Sequence, residues 1–330
     1  FTESAVSQLP FNFVYIFFLS FFADKGYIEG LMLASVVAAS TQFLIQVPAI
    51  KHQGYRYNLD VDLEDRYLKK ALLLVIPVVI GSAVQQINTV IDKTLASSLV
   101  DGSISALTYA SRINDLIISV FVMAITTVVF PMLSKAFSQE DNLQVRRIMG
   151  QGINIILIIT VPATIGILIL AEPMVRIFFQ RGAFSEAATE MTSKALIFYS
   201  LGLVGASLRL MLNKVYYSFQ DTKTPMVNGA MAVVLNVVLN LILIKYMAHS
   251  GLALATSISA TFTTLLLFLD LRKKIGPMGL RRYLICFFKT LFASIIMGII
   301  VYGIFFGLTP KLPKMVIVEL IMLLLSVTVG

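Results

Sequence analysis

The sequence predicts an all-α fold, a polytopic membrane bundle of about ten transmembrane helices. Three observations carry this. Hydrophobic residues make up 58% of the 330 positions and charged residues only 13%, where a soluble domain holds about 25% charged residues. The mean hydropathy is +0.87. The apolar residues are also gathered into runs of roughly twenty or more, the length a helix needs to cross a hydrocarbon core of about 30 Å.

Those runs fall at 10–23, 27–49, 71–99, 104–134, 148–170, 189–217, 226–247, 250–270, 283–308 and 314–330, parted by loops rich in Gly, Pro, Asp and Lys/Arg. The first is short for a full crossing. Between the second and third lies the longest linker, His52 to Lys69, where Asp60-Val61-Asp62-Leu63-Glu64-Asp65-Arg66-Tyr67 predicts a short surface helix. Pro77 and Pro162 stand inside spans, where proline frees backbone carbonyls and bends helices. The chain opens at Phe1 without methionine and stops at Gly330 within an apolar run, so it is expected to be a fragment of a longer protein.

Charge placement sets the orientation. One set of alternate loops carries fifteen Lys and Arg, among them Lys51, Arg66, Arg146, Arg147, Arg272, Lys273, Lys274, Arg281 and Arg282, and the other set carries six. The richer set is cytoplasmic by the positive-inside rule, which also accounts for the net charge of +8 without nucleic acid. The turn at Asp101-Gly102-Ser103 then lies outside. With one cysteine, Cys286, and two histidines, His52 and His249, the sequence excludes an intrachain disulfide, a cysteine-rich metal site and an H-E-x-x-H zinc site.

Two ionisable residues sit where the bilayer is most hostile to them. Asp92 and Arg112 are each ten residues from Gly102, so at about 1.5 Å of rise per residue both lie roughly 15 Å below the turn, near mid-membrane. A charge at that depth costs on the order of 3 kcal/mol or more, so it faces a partner or a polar cavity and marks a transport path. Around Asp92, Gln85 and Asn88 recur at helical spacing; around Arg112, so do Ser105, Tyr109, Asp115, Ser119 and Thr126. Arg112 and Asp115 share a face and can pair. Either Asp92 pairs with Arg112 and the two helices are simply glued together, or each has its own task.

Two further groups enlarge the picture. Asn236 and Asn240 are four residues apart, and Thr256, Ser259 and Thr263 share one face of the next span. With Asp92 they offer the hard oxygen ligands that a small cation such as Na⁺ accepts, although such residues also serve as packing contacts between helices. Arg209 and Lys214 close the sixth span toward the cytoplasm. They either snorkel or wall a cationic cavity for an anionic head group.

Several motifs in series then point to a family. Gln86-Ile87-Asn88 with Asp92, Leu95-Ala96-Ser97, Gly102, Ala106-Leu107-Thr108-Tyr109-Ala110-Ser111-Arg112, Phe130-Pro131-Met132-Leu133-Ser134, Arg181-Gly182-Ala183-Phe184 and Asp221-Thr222-Lys223-Thr224-Pro225 resemble the MurJ (MviN) lipid II flippases over most of residues 40–270. The resemblance implies a fourteen-helix, two-lobe protein of the MOP superfamily, shared with MATE exporters. Such a protein moves lipid II, an undecaprenyl-diphosphate-linked muropeptide, across the bacterial inner (plasma) membrane by alternating access, amid membrane lipids and as a monomer.

On that mapping residues 1–50 are the last two helices of an N-terminal lobe and 51–70 a cytoplasmic linker with a surface helix. Residues 71–272 are the six helices of the C-terminal lobe, and 273–330 a truncated helix pair forming a lipid-tail groove. The substrate-binding set is Arg112, matching the family's essential cavity arginine, with Asp115, Lys214, Arg209, Tyr109 and Asn88. A sodium site would fall on Asp92, Asn236, Asn240, the carbonyl of Leu252, and Thr256, with Asn240 standing where other members carry an acid. No cofactor beyond Na⁺ is implied. The alternatives are a related MATE-like or polysaccharide-lipid exporter and an integral membrane glycosyltransferase. Against the enzyme stands the lack of a loop carboxylate cluster to hold a metal and a sugar nucleotide, since Asp60, Asp62, Glu64 and Asp65 read as a solvated helix face.

Overall fold

The computed structural model describes residues 8–22, 28–52, 54 and 66–308. Among them every regular element is helical: α1 Gln8–Phe22, α2 Ile28–His52, α3 Arg66–Ser97, α4 Ser103–Ile117, a π turn Ile118–Val122, α5 Met123–Ser138, α6 Asn142–Phe179, α7 Glu186–Ser200, α8 Leu203–Ser218, α9 Lys223–Met247, α10 His249–Ile275 and α11 Leu280–Leu308. Seven helical stretches are long and apolar enough to cross a membrane, and the bent pair α7–α8 makes an eighth. With the short α1 these account for nine of the ten expected spans. The tenth, 314–330, lies outside the described residues, as does most of the expected surface helix at Asp60–Tyr67.

The chain divides into two compact units, Phe1–Asp65 and Arg66–Gly330. In the first, α1 and α2 pack together. Ala34 and Ala38, four apart and fully buried, supply the small surface that lets helices approach in lipid. Tyr15 and Ser35 hydroxyls meet across the pair at 3.1 Å.

The second unit is a bundle whose outward faces are apolar, as a hydrocarbon solvent requires; Leu73, Val90, Val128 and Phe292 are all exposed. Its interior has two apolar clusters. One joins Leu133, Met149, Ile153, Met211, Leu212, Tyr216 and Leu267 from α5, α6, α8 and α10, and the Tyr216 hydroxyl donates to the Leu267 carbonyl at 2.9 Å. The other joins Leu107, Ala110, Ile167, Ala171, Leu196, Leu203 and Leu252 from α4, α6, α7, α8 and α10.

The span expected at 189–217 is not one helix. It breaks at Leu201-Gly202 with a 49° bend between α7 and α8, whereas α3 and α6 run unbroken through Pro77 and Pro162. The break is stable because its freed carbonyls are satisfied from elsewhere. Ser257 of α10 donates to the carbonyls of Phe198 at 2.6 Å and Tyr199 at 3.1 Å, and Thr164 of α6 reaches that of Ser200 at 3.4 Å. A hydroxyl inserted into the helical ladder is an ordinary cause of a sharp kink. Close approach demands glycine here. A Cβ on Gly202 would lie 2.5 Å from the Ser257 Cα, and one on Gly205 would lie 2.9 Å from the Thr261 Cα.

The Asp221-Thr222-Lys223-Thr224-Pro225 motif is a clamp between α9 and α10. Asp221 accepts from the Thr224 backbone at 3.0 Å and hydroxyl at 2.8 Å, and from the Lys274 ammonium at 2.8 Å. Burial pushes the Asp221 carboxyl up, but the hydrogen bonds from Lys274 and Thr224 outweigh it and hold it below its ordinary range. A carboxyl lowered in the folded state contributes stability that is complete above its unfolded value and lost as pH falls through the folded one. Asp221→Asn keeps an acceptor for Thr224 but loses the charge that faces Lys274, so it should lower the melting temperature near neutral pH, at a cost of up to about 1 kcal/mol. Thermal unfolding followed into acid should show wild type and variant converging as the carboxyl protonates.

Candidate functional site

Asp92 projects from α3 toward α9, where Asn240 donates its Nδ2 to Asp92 Oδ1 at 2.6 Å. Asn88, one turn earlier on α3, reaches the other carboxylate oxygen at 3.4 Å. Asn240 Nδ2 also lies 2.9 Å from the Asn236 carboxamide, which approaches the Thr256 hydroxyl at 3.5 Å. Thr256 in turn donates to the Leu252 carbonyl at 3.0 Å. All five residues expected at a cation site, together with Asn88, thus meet where α3, α9 and α10 converge, and Asn88, Asn236 and Asn240 are buried.

The Asn236 carboxamide can be set in two ways. With its oxygen toward α3, that atom lies 3.2 Å from Asp92 Oδ1 and 2.9 Å from Asn88 Oδ1, three oxygens between which the only protons are those of the Asn240 amide, donated to Asp92 and to Asn236. With the amide reversed, its nitrogen donates to both and its oxygen accepts from the Thr256 backbone at 3.1 Å. The reversed setting serves Asp92, Asn88 and the Thr256 backbone, but it loses the bond from Asn240 and sets two amide nitrogens 2.9 Å apart, donor against donor. The first setting gathers oxygens of Asp92, Asn88 and Asn236 around one formal negative charge, but Asn240 turns its nitrogen to them. Asn240 Oδ1 is buried without a partner among the described residues. Turned about, the Asn240 amide would bring that free oxygen to the others, and the set would then fit the hard chemistry of a small monovalent cation.

Beside this cluster lies a cavity of about 370 Å³. Its polar wall comprises Gln85, Asn88, Asp92 and Lys93 of α3, Thr108, Ser111, Asn114 and Asp115 of α4, Tyr199 of α7, Arg209 of α8, Asn236 of α9, and Thr256, Ser259 and Thr263 of α10. The α7–α8 bend is what brings Tyr199 and Arg209 to one cavity. Arg209 is half-buried, and its Nε has no partner among the described residues.

Arg112 stands apart from Asp92. It is exposed on α4 and, among the described residues, makes no ion pair. Asp115, one turn on, is near enough to feel its charge, yet the expected Arg112–Asp115 pair is not formed. Nor is the Asp92–Arg112 pair, because Asp92 is taken by Asn240.

Two other expected residues lie off the cavity. Tyr109 packs its ring on Phe179 and Phe184 at centroid distances of 4.7 and 5.4 Å, so the Arg181-Gly182-Ala183-Phe184 motif meets the end of α4 through an aromatic cluster. The Lys214 ammonium lies 5.4 Å from the Phe130 ring centre, a cation–π contact. Conversely, Lys93 and Tyr199 line the cavity without having been singled out. Lys93 adjoins Asp92 in sequence, which was a usable signal; Tyr199 gave none, since only the helix break turns it inward.

The chain matches the family described as "Lipid II flippase MurJ" over residues 1–323. It is 36% identical over 239 residues to a probable lipid II flippase MurJ of Vibrio cholerae serotype O1, covering 72% of this chain and 46% of that one. The solved structure of a lipid II flippase MurJ in an inward closed conformation superposes with a TM-score of 0.74 at 27% identity, covering 99% of this chain and 64% of that one. A Vibrio cholerae MATE transporter, VcmN in its bent form, shares the fold alone, with a TM-score of 0.65 at 14% identity over 84% of this chain and 63% of that one. The chain spans about half the length of the curated relatives it matches.

The two settings of the Asn236 amide are separable by experiment. An ion that binds only the folded state at ten times its Kd adds about 1.4 kcal/mol. Replacing choline by Na⁺ at constant ionic strength should then raise the melting temperature by a few degrees. Asp92→Asn should abolish the difference; equal melting of the wild type in both salts would mean that the site closes on itself.

Proposed function

The chain belongs to the lipid II flippase MurJ family, and on that premise we propose that it serves to carry lipid II across the bacterial inner membrane by alternating access. It acts as a monomer and does no chemistry on its cargo. The observation that carries this reading is Arg112, an exposed guanidinium without an ion pair among the described residues, held nine residues inside an apolar stretch, Ser103–Ser138. A cation there is tolerated only where water or an anionic ligand reaches it.

The cargo offers the matching charge, a diphosphate between a polyprenyl tail and a polar head. Guanidinium groups suit it because their planar donors pair with phosphate oxygens two at a time. Lys93 and Arg209 face it from the cavity wall, where they are balanced by Asp92 and Asp115, and Arg112, exposed on α4 next to the wall residue Ser111, adds a third cation. That balance suits a transporter, which has to release what it holds. The hydroxyls and amides of Ser111, Thr108 and Gln85 add exchangeable contacts for the sugar-peptide head.

The Asp92 cluster has a different part. Asp92, Asn236, Asn240, Thr256 and the Leu252 carbonyl would hold Na⁺, whose charge would neutralise the carboxylate between α3, α9 and α10. A ligand shifts a conformational equilibrium only by its difference in affinity for the two states. These three helices supply that difference if their spacing at Asp92 changes between states.

Arg112→Ala in the full-length protein should fail to support growth of cells depleted of their own flippase, at unchanged membrane level. Arg112→Lys, which keeps the charge but loses the fork, should rescue in part. Normal growth on Arg112→Ala would remove the basis of this assignment.

A further inference from the structure

A second cavity, of about 760 Å³, opens at the end of the bundle that the charge pattern assigns to the cytoplasm, between the start of α6 and the turn joining α10 to α11. Four arginines line it: Arg146 and Arg147 from α6, Arg281 and Arg282 from α11. No carboxylate does. Among the described residues none of the four forms an ion pair. Arg146 is committed to the fold, since its guanidinium donates to the Ile275 carbonyl at the end of α10. The other three are exposed.

The positive-inside rule accounts for basic residues in this loop, but it asks only for charge near a span end. It does not ask that residues more than a hundred positions apart converge on one hollow. Convergence is costly, because the guanidiniums repel one another and both pairs sit near helix starts, where the backbone dipole disfavours cations. An anion in the hollow would relieve both terms.

We propose that this cavity binds the phosphate of an anionic bilayer phospholipid. Guanidinium forks match phosphate oxygens, and the Tyr283 side chain lines the wall beside them. The surroundings favour a lipid over free phosphate. Ile285 lines the cavity, and Leu284 and Phe288 stand exposed next along α11, an apolar path for acyl chains that starts at the head-group site. Basic pockets between helices on the cytoplasmic side are where such head groups are held.

The test is native mass spectrometry of the full-length protein in detergent, titrated with dioleoyl-phosphatidylglycerol or dioleoyl-phosphatidylcholine. A basic residue near an anionic surface contributes about a fivefold change in affinity. Arg147→Gln should therefore weaken the first phosphatidylglycerol adduct about fivefold and the double variant Arg281→Gln/Arg282→Gln about 25-fold. Phosphatidylcholine should bind more weakly and be indifferent to all three changes. Unchanged phosphatidylglycerol binding in both variants would overturn the site. So would equal affinity for the two lipids, and inorganic phosphate competing at the concentration of the lipid would reassign it to a free anion. The two variants remove only exposed side chains, and melting curves that match wild type establish that each is folded.

Discussion

A carboxylate set inside an apolar, membrane-length helix has to find its hydrogen-bond donors within the protein, and Asp92 imposes that demand on the bundle. Lipid offers none, so three helices are drawn together around it: α3 through Asn88, α9 through Asn236 and Asn240, and α10 through Thr256. The contact at 2.6 Å between Asn240 and Asp92 spans 148 residues of sequence. Removing a donor from such a buried group costs its desolvation, about 1–3 kcal/mol and more for a charge. The same cluster forms one wall of the central cavity, so packing and access are set together.

Once Asp92 is satisfied internally, Arg112 is left without a paired counter-charge among the described residues. Its freedom is a consequence of the donors given to its neighbour. The bundle thus separates a fixed anion, locked among helices, from an available cation on an open face. The bend between α7 and α8 completes the arrangement. Ser257 and Thr164 hold the broken carbonyls, and the turn carries Tyr199 and Arg209 to the same cavity. Polar atoms supplied from other helices are what make irregular backbone tolerable at membrane depth.

Local periodicity made much of this legible in the sequence. The spans followed from apolar runs, and Asp92, Asn236, Asn240 and Thr256 from polar residues recurring at helical spacing, to which the family motifs added their meeting point. What stayed hidden depends on contacts distant in sequence. Proline was the visible signal for bending, yet the sharp bend is at Leu201-Gly202, created by Ser257 more than fifty residues on. Tyr109 reads as part of a polar stripe, but an aromatic partner at Phe184 draws it out of the cavity. The arginine hollow escaped notice because each half, taken alone, is an ordinary cytoplasmic loop.

If Arg112 receives the diphosphate as proposed, it faces an aqueous, ligand-accessible path although it stands within an apolar, membrane-length helix. Cysteine accessibility in intact cells measures this directly, using Arg112→Cys and, as a lipid-facing control at similar depth, Val234→Cys in an otherwise cysteine-free full-length protein. A membrane-impermeant thiol reagent should label position 112 and leave position 234 unmodified. Equal protection of the two positions, in cells where both variants reach the membrane, would contradict it.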